Sequence, residues 1–161
     1  MHTTKIEIKS TNIIMRTNAK IVDGKIKFPD EEVSYPIDLK NLKPTGGTED
    51  SCFVFYDMSN QIIARAAIHN YHVPGELRII WETGVSEEYA AEAMTLWLNW
   101  LFENTALAKV WTLITGEYPE CAFVNKYFKN EIPAEYKHNK LSQGIWYSLY
   151  KENWSGGTWM L

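Results

Sequence analysis

The sequence predicts an α/β fold with a mixed, mainly antiparallel central sheet flanked by helices. Three observations predict it. Apolar runs follow the order strands, helix, strand, helix, strands. Residues from about Glu87 to Asn104 carry a broad apolar stripe at three- and four-residue steps, the pattern of a helix laid on a sheet. Ahead of that stripe, short apolar runs alternate with turn residues, as in a meander.

The first elements are short strands. Lys5-Ile6-Glu7-Ile8 alternates apolar and polar residues. Ile21 to Phe28 places Asp23-Gly24 between apolar positions, a hairpin signal because both residues tolerate the left-handed turn backbone. Residues 29–50 are acidic and hold Pro29, Pro36, Pro44, Gly46 and Gly47, so they read as a loop with one short element at 36–42.

A meander follows. Phe53 to Tyr56 is a strand, Asp57-Met58-Ser59-Asn60 a turn, and Ile62 to Tyr71 a longer strand. Pro74-Gly75 turns the chain into a third strand, Leu77 to Thr83. The near-continuous apolar content suggests a sheet covered on both faces for part of its length.

Ser86 suits the N-cap of the main helix, and Glu87 and Glu88 suit its positive start. Tyr89, Ala90, Ala93, Met94, Trp97, Trp100 and Leu101 form the apolar stripe. Lys109 to Thr115 is the next strand, expected parallel to 77–83 through a right-handed crossover. Gly116 breaks it, and Pro119 opens a second helix at 119–130, ended before Pro133. Two last strands are expected near 134–138 and 144–151.

Composition bounds the function. The chain has 161 residues, 45% hydrophobic and 22% charged, which excludes disorder for most of it. The length suits one domain, 1–161, with a core that needs no disulfide or metal. The net charge of −4 disfavours a nucleic-acid partner held by phosphate neutralisation. Cys52 and Cys121 lie far apart without metal-ligand spacing and are expected as buried, reduced thiols. No secretory signal or membrane-length apolar run is found, so a cytoplasmic location without a membrane partner is expected.

Residues 52–151 resemble the GNAT superfamily of N-acetyltransferases, and within it the ribosomal-protein alanine acetyltransferase branch. Glu87-Glu88-Tyr89-Ala90-Ala91-Glu92-Ala93-Met94 is similar to the family's helix start, commonly Gly-Lys-Gly-Tyr-Ala-Thr-Glu-Ala-Leu. Tyr118-Pro119-Glu120-Cys121-Ala122-Phe123-Val124 resembles Asn-Pro-Ala-Ser-Ile-Arg-Val at the next helix. Gly144 to Lys151 looks like the family's last strand. The resemblance implies a GNAT-like fold, acetyl-CoA as cofactor, and an amine of a protein or small molecule as acceptor. Residues 1–50 depart from it, being mostly strand and loop where the family has helices.

The coenzyme loop departs as well. The family's Arg/Gln-x-x-Gly-x-Gly/Ala loop brings backbone amides to a pyrophosphate. Here the aligned residues are Val85-Ser86-Glu87-Glu88-Tyr89-Ala90, with Gly84 the one glycine nearby. Two carboxylates would stand where phosphates dock, and each such pair ~5 Å apart repels by roughly 1–3 kcal/mol at effective dielectrics of about 20–80. A second reading follows: a GNAT-like protein without coenzyme binding, acting as a binding or structural component, as among phage-encoded GNAT-like proteins.

The candidate site residues follow from the resemblance. Glu82, at a strand end, stands where the family places a glutamate base, with His69 and His72 as neighbours. The family's tyrosine acid aligns with Asn125, which leaves Tyr127 and Tyr118 as substitutes. Trp81, Gly84, Val85, Ser86, Tyr89 and Ala90 are the candidate coenzyme contacts, with Trp81 and Trp111 on the two strands that part in GNAT folds. Lys126 belongs to a basic cluster with Lys129, Lys137, His138 and Lys140 and is the candidate contact for a 3′-phosphate. Cys121 reads as a small packed residue at a helix start, and no metal site is expected.

Overall fold

The computed structural model describes residues 6–17, 20–22, 25–27, 53–69, 75–105, 107–134 and 144–155. The Asp23-Gly24 turn, the segment 29–50 with its element at 36–42, Cys52, His72, Pro74 and residues 135–143 lie outside the described residues.

The sequence folds as a mixed α/β structure with a mainly antiparallel sheet. The strands are β1 (Ile6–Lys9), β2 (Ile13–Thr17), β3 (Lys20–Val22), β4 (Lys25–Lys27), β5 (Phe53–Asp57), β6 (Ile62–His69) and β7 (Glu76–Trp81). Helix α1 (Glu87–Asn104) leads to β8 (Lys109–Ile114), and α2 (Cys121–Tyr127) leads to β9 (Lys129–Asn130) and β10 (Ile145–Tyr150). Among the described residues, eight strands form one sheet in the order β1-β2-β5-β6-β7-β8-β10-β9, while β3 and β4 pair separately as a ribbon. Every pairing in the large sheet is antiparallel except β7 with β8, which run parallel.

Helix α1 starts where the sequence places it. The Ser86 hydroxyl accepts from the Tyr89 amide at 3.1 Å, and Glu87 and Glu88 occupy the first turn. Its stripe is the centre of the core. Trp97 is fully buried against Phe53 and Phe55 of β5, with ring centroids 5.5 and 6.0 Å away. Ala93, Met94, Leu98 and Leu101 complete the buried face. Ile13, Met15, Ala64, Ala66 and Ile68 meet it from the sheet, and Phe123, Val124 and Phe128 join the same core.

One polar position also faces inward. Glu92 is 2% exposed and accepts hydrogen bonds from the Ser10 hydroxyl, from the Asn12 amide at 2.6 Å and from the Asn12 side chain at 3.0 Å. It fastens the β1–β2 turn to α1, because the two oxygens of one carboxyl gather several donors.

The second helix is shorter than the expected 119–130. It begins at Cys121, after a turn at Pro119-Glu120, and stops at Tyr127 with Phe128 extended. Lys129 and Asn130 are instead a two-residue strand, because their backbone pairs with Ser148 and Tyr147 of β10. The strand expected at 134–138 is absent at Ala134, and its remainder lies outside the described residues. Cys121 is half-buried rather than fully buried, with its thiol near Gly116 O and the Tyr118 amide. No described helix is long and apolar enough to cross a membrane.

Candidate functional site: the cleft between two parted strands

The site arises from the one parallel pair in the large sheet. β7 and β8 share a single register pair, Glu76 with Trp111, and the Trp111 amide donates to Gly75 O at 3.0 Å. Gly75 is left-handed here (φ +80°), and a Cβ on it would lie 2.9 Å from Lys109 O, so the close approach of the two strands requires glycine. Beyond that pair the strands separate. β7 stays bonded to β6 through Trp81, and β8 stays bonded to β10 through Ile114. Their facing edges therefore border a gap within the sheet.

The gap holds a cleft with two lobes. The first, about 510 Å³, is lined by Glu76 to Ile80 of β7, by Thr112, Leu113 and Thr115, and by Tyr118 and Glu120. The second, about 390 Å³, is lined by Ile79 to Val85, Tyr118 and Pro119. Ile79, Ile80 and Tyr118 border both. Volumes of this size are typical of small-molecule sites.

The second lobe brings together Trp81, Glu82, Gly84, Val85 and Tyr118 of the expected site. Glu82 is exposed at its mouth and accepts a hydrogen bond from Arg65 Nη1 at 2.9 Å, so a cation already engages its carboxylate. The Tyr118 hydroxyl lies 2.8 Å from the Thr115 hydroxyl, which holds the ring at the junction of the lobes. Gly84 has φ +85°, a backbone that turns β7 toward α1 and favours glycine.

Other expected residues lie elsewhere. Tyr127 packs against Phe123 and Trp154, and Trp154 is tied to Asn99 by an indole hydrogen bond of 2.8 Å. It lines neither lobe. Lys126 is exposed, with its ammonium 5.3 Å from the Tyr127 ring. Ser86 is spent on capping α1, and Tyr89 and Ala90 point into or beside the core. Trp111 is buried in an edge-to-face pair with Trp146 rather than in the cleft lining. Asn125 is exposed. His69 is the last residue of β6, while His72, Lys137, His138 and Lys140 lie outside the described residues.

Sequence reasoning missed Glu120. It is 4% exposed yet borders the first lobe. Among the described residues its Oε1 has no hydrogen-bond partner, and neither has Trp81 Nε1. Burial pushes the Glu120 carboxyl above the usual carboxylate range, and the Trp81 indole opposes the rise without reaching good hydrogen-bond geometry. Glu76, also buried, is paired with Arg78, whose Nε donates to it at 2.9 Å. The only signal in the sequence was a carboxylate directly after Pro119, which reads as an ordinary helix-start residue.

No protein-family model matches the chain, and no curated protein matches it. Solved structures do. An acetyltransferase from Agrobacterium tumefaciens is similar over 93% of this chain and 97% of its own, at 12% identity and a TM-score of 0.54. A GNAT-family acetyltransferase from Bacillus anthracis is similar over 91% and 99%, at 16% identity and a TM-score of 0.53. A spermidine N-acetyltransferase from Vibrio cholerae matches 62% of this chain but only 63% of its own, at 16% identity and a TM-score of 0.48. The chain thus has the fold of GNAT acetyltransferases.

Proposed function

We propose that the chain transfers an acyl group from an acyl-CoA thioester to an amine of a protein or small molecule. The parting of β7 and β8 carries the reading. Two inner strand edges without a strand between them offer alternating amides and carbonyls to an extended, amide-bearing ligand, much as a sheet edge takes up a peptide. A pantetheine arm has that chemistry, and the inner edges of β7 and β8 would hold it. Bound there, acetyl-CoA supplies a thioester-activated acetyl group.

The phosphate end fits less well. The first turn of α1 presents the exposed Glu87 and Glu88, and the Ser86 hydroxyl already takes the Tyr89 amide. Among the described residues, neither lobe is lined by a lysine. A pyrophosphate at that helix start meets negative charge.

The chain's own groups have these tasks. Tyr118 borders both lobes and would give a proton to the leaving thiolate. Glu82 takes a proton at the mouth once it releases Arg65. Trp81 closes the second lobe and helps exclude water. A protein N-terminus, as the likeness to ribosomal-protein alanine acetyltransferases suggests, is one acceptor of the right chemistry.

The two exposed glutamates favour a second reading, a cleft protein without coenzyme, working as a binding or structural component, including one of a phage. Titration calorimetry with acetyl-CoA separates the two. Weak binding, with a dissociation constant between about 0.1 and 1 mM, is the expected result. No heat at millimolar acetyl-CoA would overturn the transferase reading in favour of the second. Binding at micromolar concentration would overturn the charge reasoning, and Glu82→Gln should then lower turnover while leaving coenzyme affinity nearly unchanged.

A further inference from the structure

We propose that the first lobe of the cleft binds a ligand through a carboxylate held by the Arg78 guanidinium, with the ligand's apolar body lying between β7 and Leu113. The proposal goes beyond the acyl-transfer reading and stands whether or not a coenzyme binds.

The starting observation is a half-used guanidinium. Arg78 lines the lobe, and its side chain is 51% exposed. Its Nε donates to Glu76 Oε2 at 2.9 Å, which holds one edge of the group. Among the described residues, Nη1 and Nη2 have no hydrogen-bond or ion-pair partner. The free end of the fork offers paired N–H donors, the geometry that takes a carboxylate in two bonds. Position brings this end to the lobe. Glu76, Arg78 and Ile80 alternate along β7 and share one face of the sheet. Trp111 is the register partner of Glu76, and Leu113 follows it two residues on. Because β7 and β8 part after that pair, Arg78 and Leu113 stand on opposite walls of the lobe.

The neighbouring groups select the ligand. Among the described residues, Arg78 is the one cation lining the lobe, and Glu76 and Glu120 are its acids. Glu76 is neutralised by Arg78 itself. Burial pushes the Glu120 carboxyl above the usual carboxylate range, so it keeps its proton at pH values where an exposed carboxylate is ionised. The lobe therefore tolerates one negative charge. A second charge on the same oxyanion would meet Glu76 at short range, so a carboxylate suits the site better than a phosphate dianion. Ile80 and Tyr118 are each 44% exposed where they border the lobe, and Leu113 adds an apolar wall. An aromatic body packs on such surfaces. A volume of about 510 Å³ admits an arylalkyl carboxylate.

Calorimetry on the full chain, without any acyl donor, tests the proposal with 3-phenylpropionate and its neutral isostere 3-phenylpropanamide. At about pH 6 the probe's carboxyl is ionised. The acid should bind at least ~5-fold more tightly than the amide, and the preference should shrink as salt rises. In Arg78→Gln the preference should fall to within ~2-fold, while Arg78→Lys, which keeps the charge and loses the fork, should retain part of it. Equal binding of acid and amide, an undiminished preference in Arg78→Gln, or no heat from either ligand overturns the proposal. Displacement of the acid by an equal concentration of inorganic phosphate overturns the choice of a carboxylate. If Arg78→Gln does not fold, Arg78→Lys and the salt dependence of the native chain decide. Acetyl-CoA is absent throughout, so failure of the donor reading and failure of this proposal are told apart.

Discussion

Replacing Trp97 by Ala should destabilise the protein by about 3–5 kcal/mol, the range for deleting a large buried aromatic side chain. The structure puts the value in the upper half. Trp97 is 0% exposed, and its ring sits within 6.0 Å of both Phe53 and Phe55, each contact contributing about 0.5–1.5 kcal/mol beyond area burial. Trp97→Phe separates packing from polarity. The Trp97 Nε1 is buried without a hydrogen-bond partner among the described residues, a desolvation cost of about 1–3 kcal/mol that phenylalanine removes. The smaller ring loses volume, so the two effects oppose each other and the net loss should stay under about 1.5 kcal/mol. Urea unfolding at pH 7 measures both variants. A loss below about 1 kcal/mol for Trp97→Ala would refute the placement of the α1 stripe. Equal losses for the two variants would refute the unpaired indole.

Three further outcomes are expected. Glu92→Ala should cost about 2–4 kcal/mol in the same assay, because the Ser10 hydroxyl, the Asn12 amide and the Asn12 side chain lose their acceptor; an effect within ~0.5 kcal/mol would show that the turn is not held there. The raised Glu120 carboxyl favours the folded state most at pH below its unfolded value, and that contribution is lost as pH rises through the folded value. Native stability should therefore fall relative to Glu120→Gln as pH rises above the usual carboxylate range, whereas parallel curves would mean that the carboxyl is not shifted. Replacing Glu87 and Glu88 together by Gln should strengthen acetyl-CoA binding, more so at low salt, where screening is least; unchanged affinity would place both side chains away from the phosphates.

The elements most legible in the sequence were those whose pattern is local. Ser86 and the stripe through Trp97 located α1 to the residue, since capping and periodicity act within a few turns of chain. The parallel β7–β8 pair followed from the strand–helix–strand order. The end of α2 was not legible. Tyr127 and Phe128 continue a helical spacing, but pairing of Lys129 and Asn130 with β10, across sequence, draws the chain into the sheet instead. Glu92 and Glu120 failed for a related reason. Each reads as an exposed acidic residue on or near a helix start, and only tertiary packing buries them, one under a turn with three donors and the other beside a cleft with none on Oε1. The cleft residues Trp81, Glu82, Gly84, Val85 and Tyr118 were reached through a family resemblance. Tyr127 came by the same route, and the packing of Phe123 and Trp154 around it sets it apart from both lobes.

The central claim is that the parted strands accept the acylated arm of a thioester donor while the start of α1 contributes no favourable phosphate site. Comparing the affinities of acetyl-CoA and S-acetylpantetheine, which carries the same arm without the nucleotide phosphates, tests it most directly. At about 0.05 M salt the two should bind within ~3-fold of each other, or the truncated donor more tightly, because Glu87 and Glu88 offset whatever the helix amides offer. Acetyl-CoA binding more than ~10-fold tighter than S-acetylpantetheine would contradict the account.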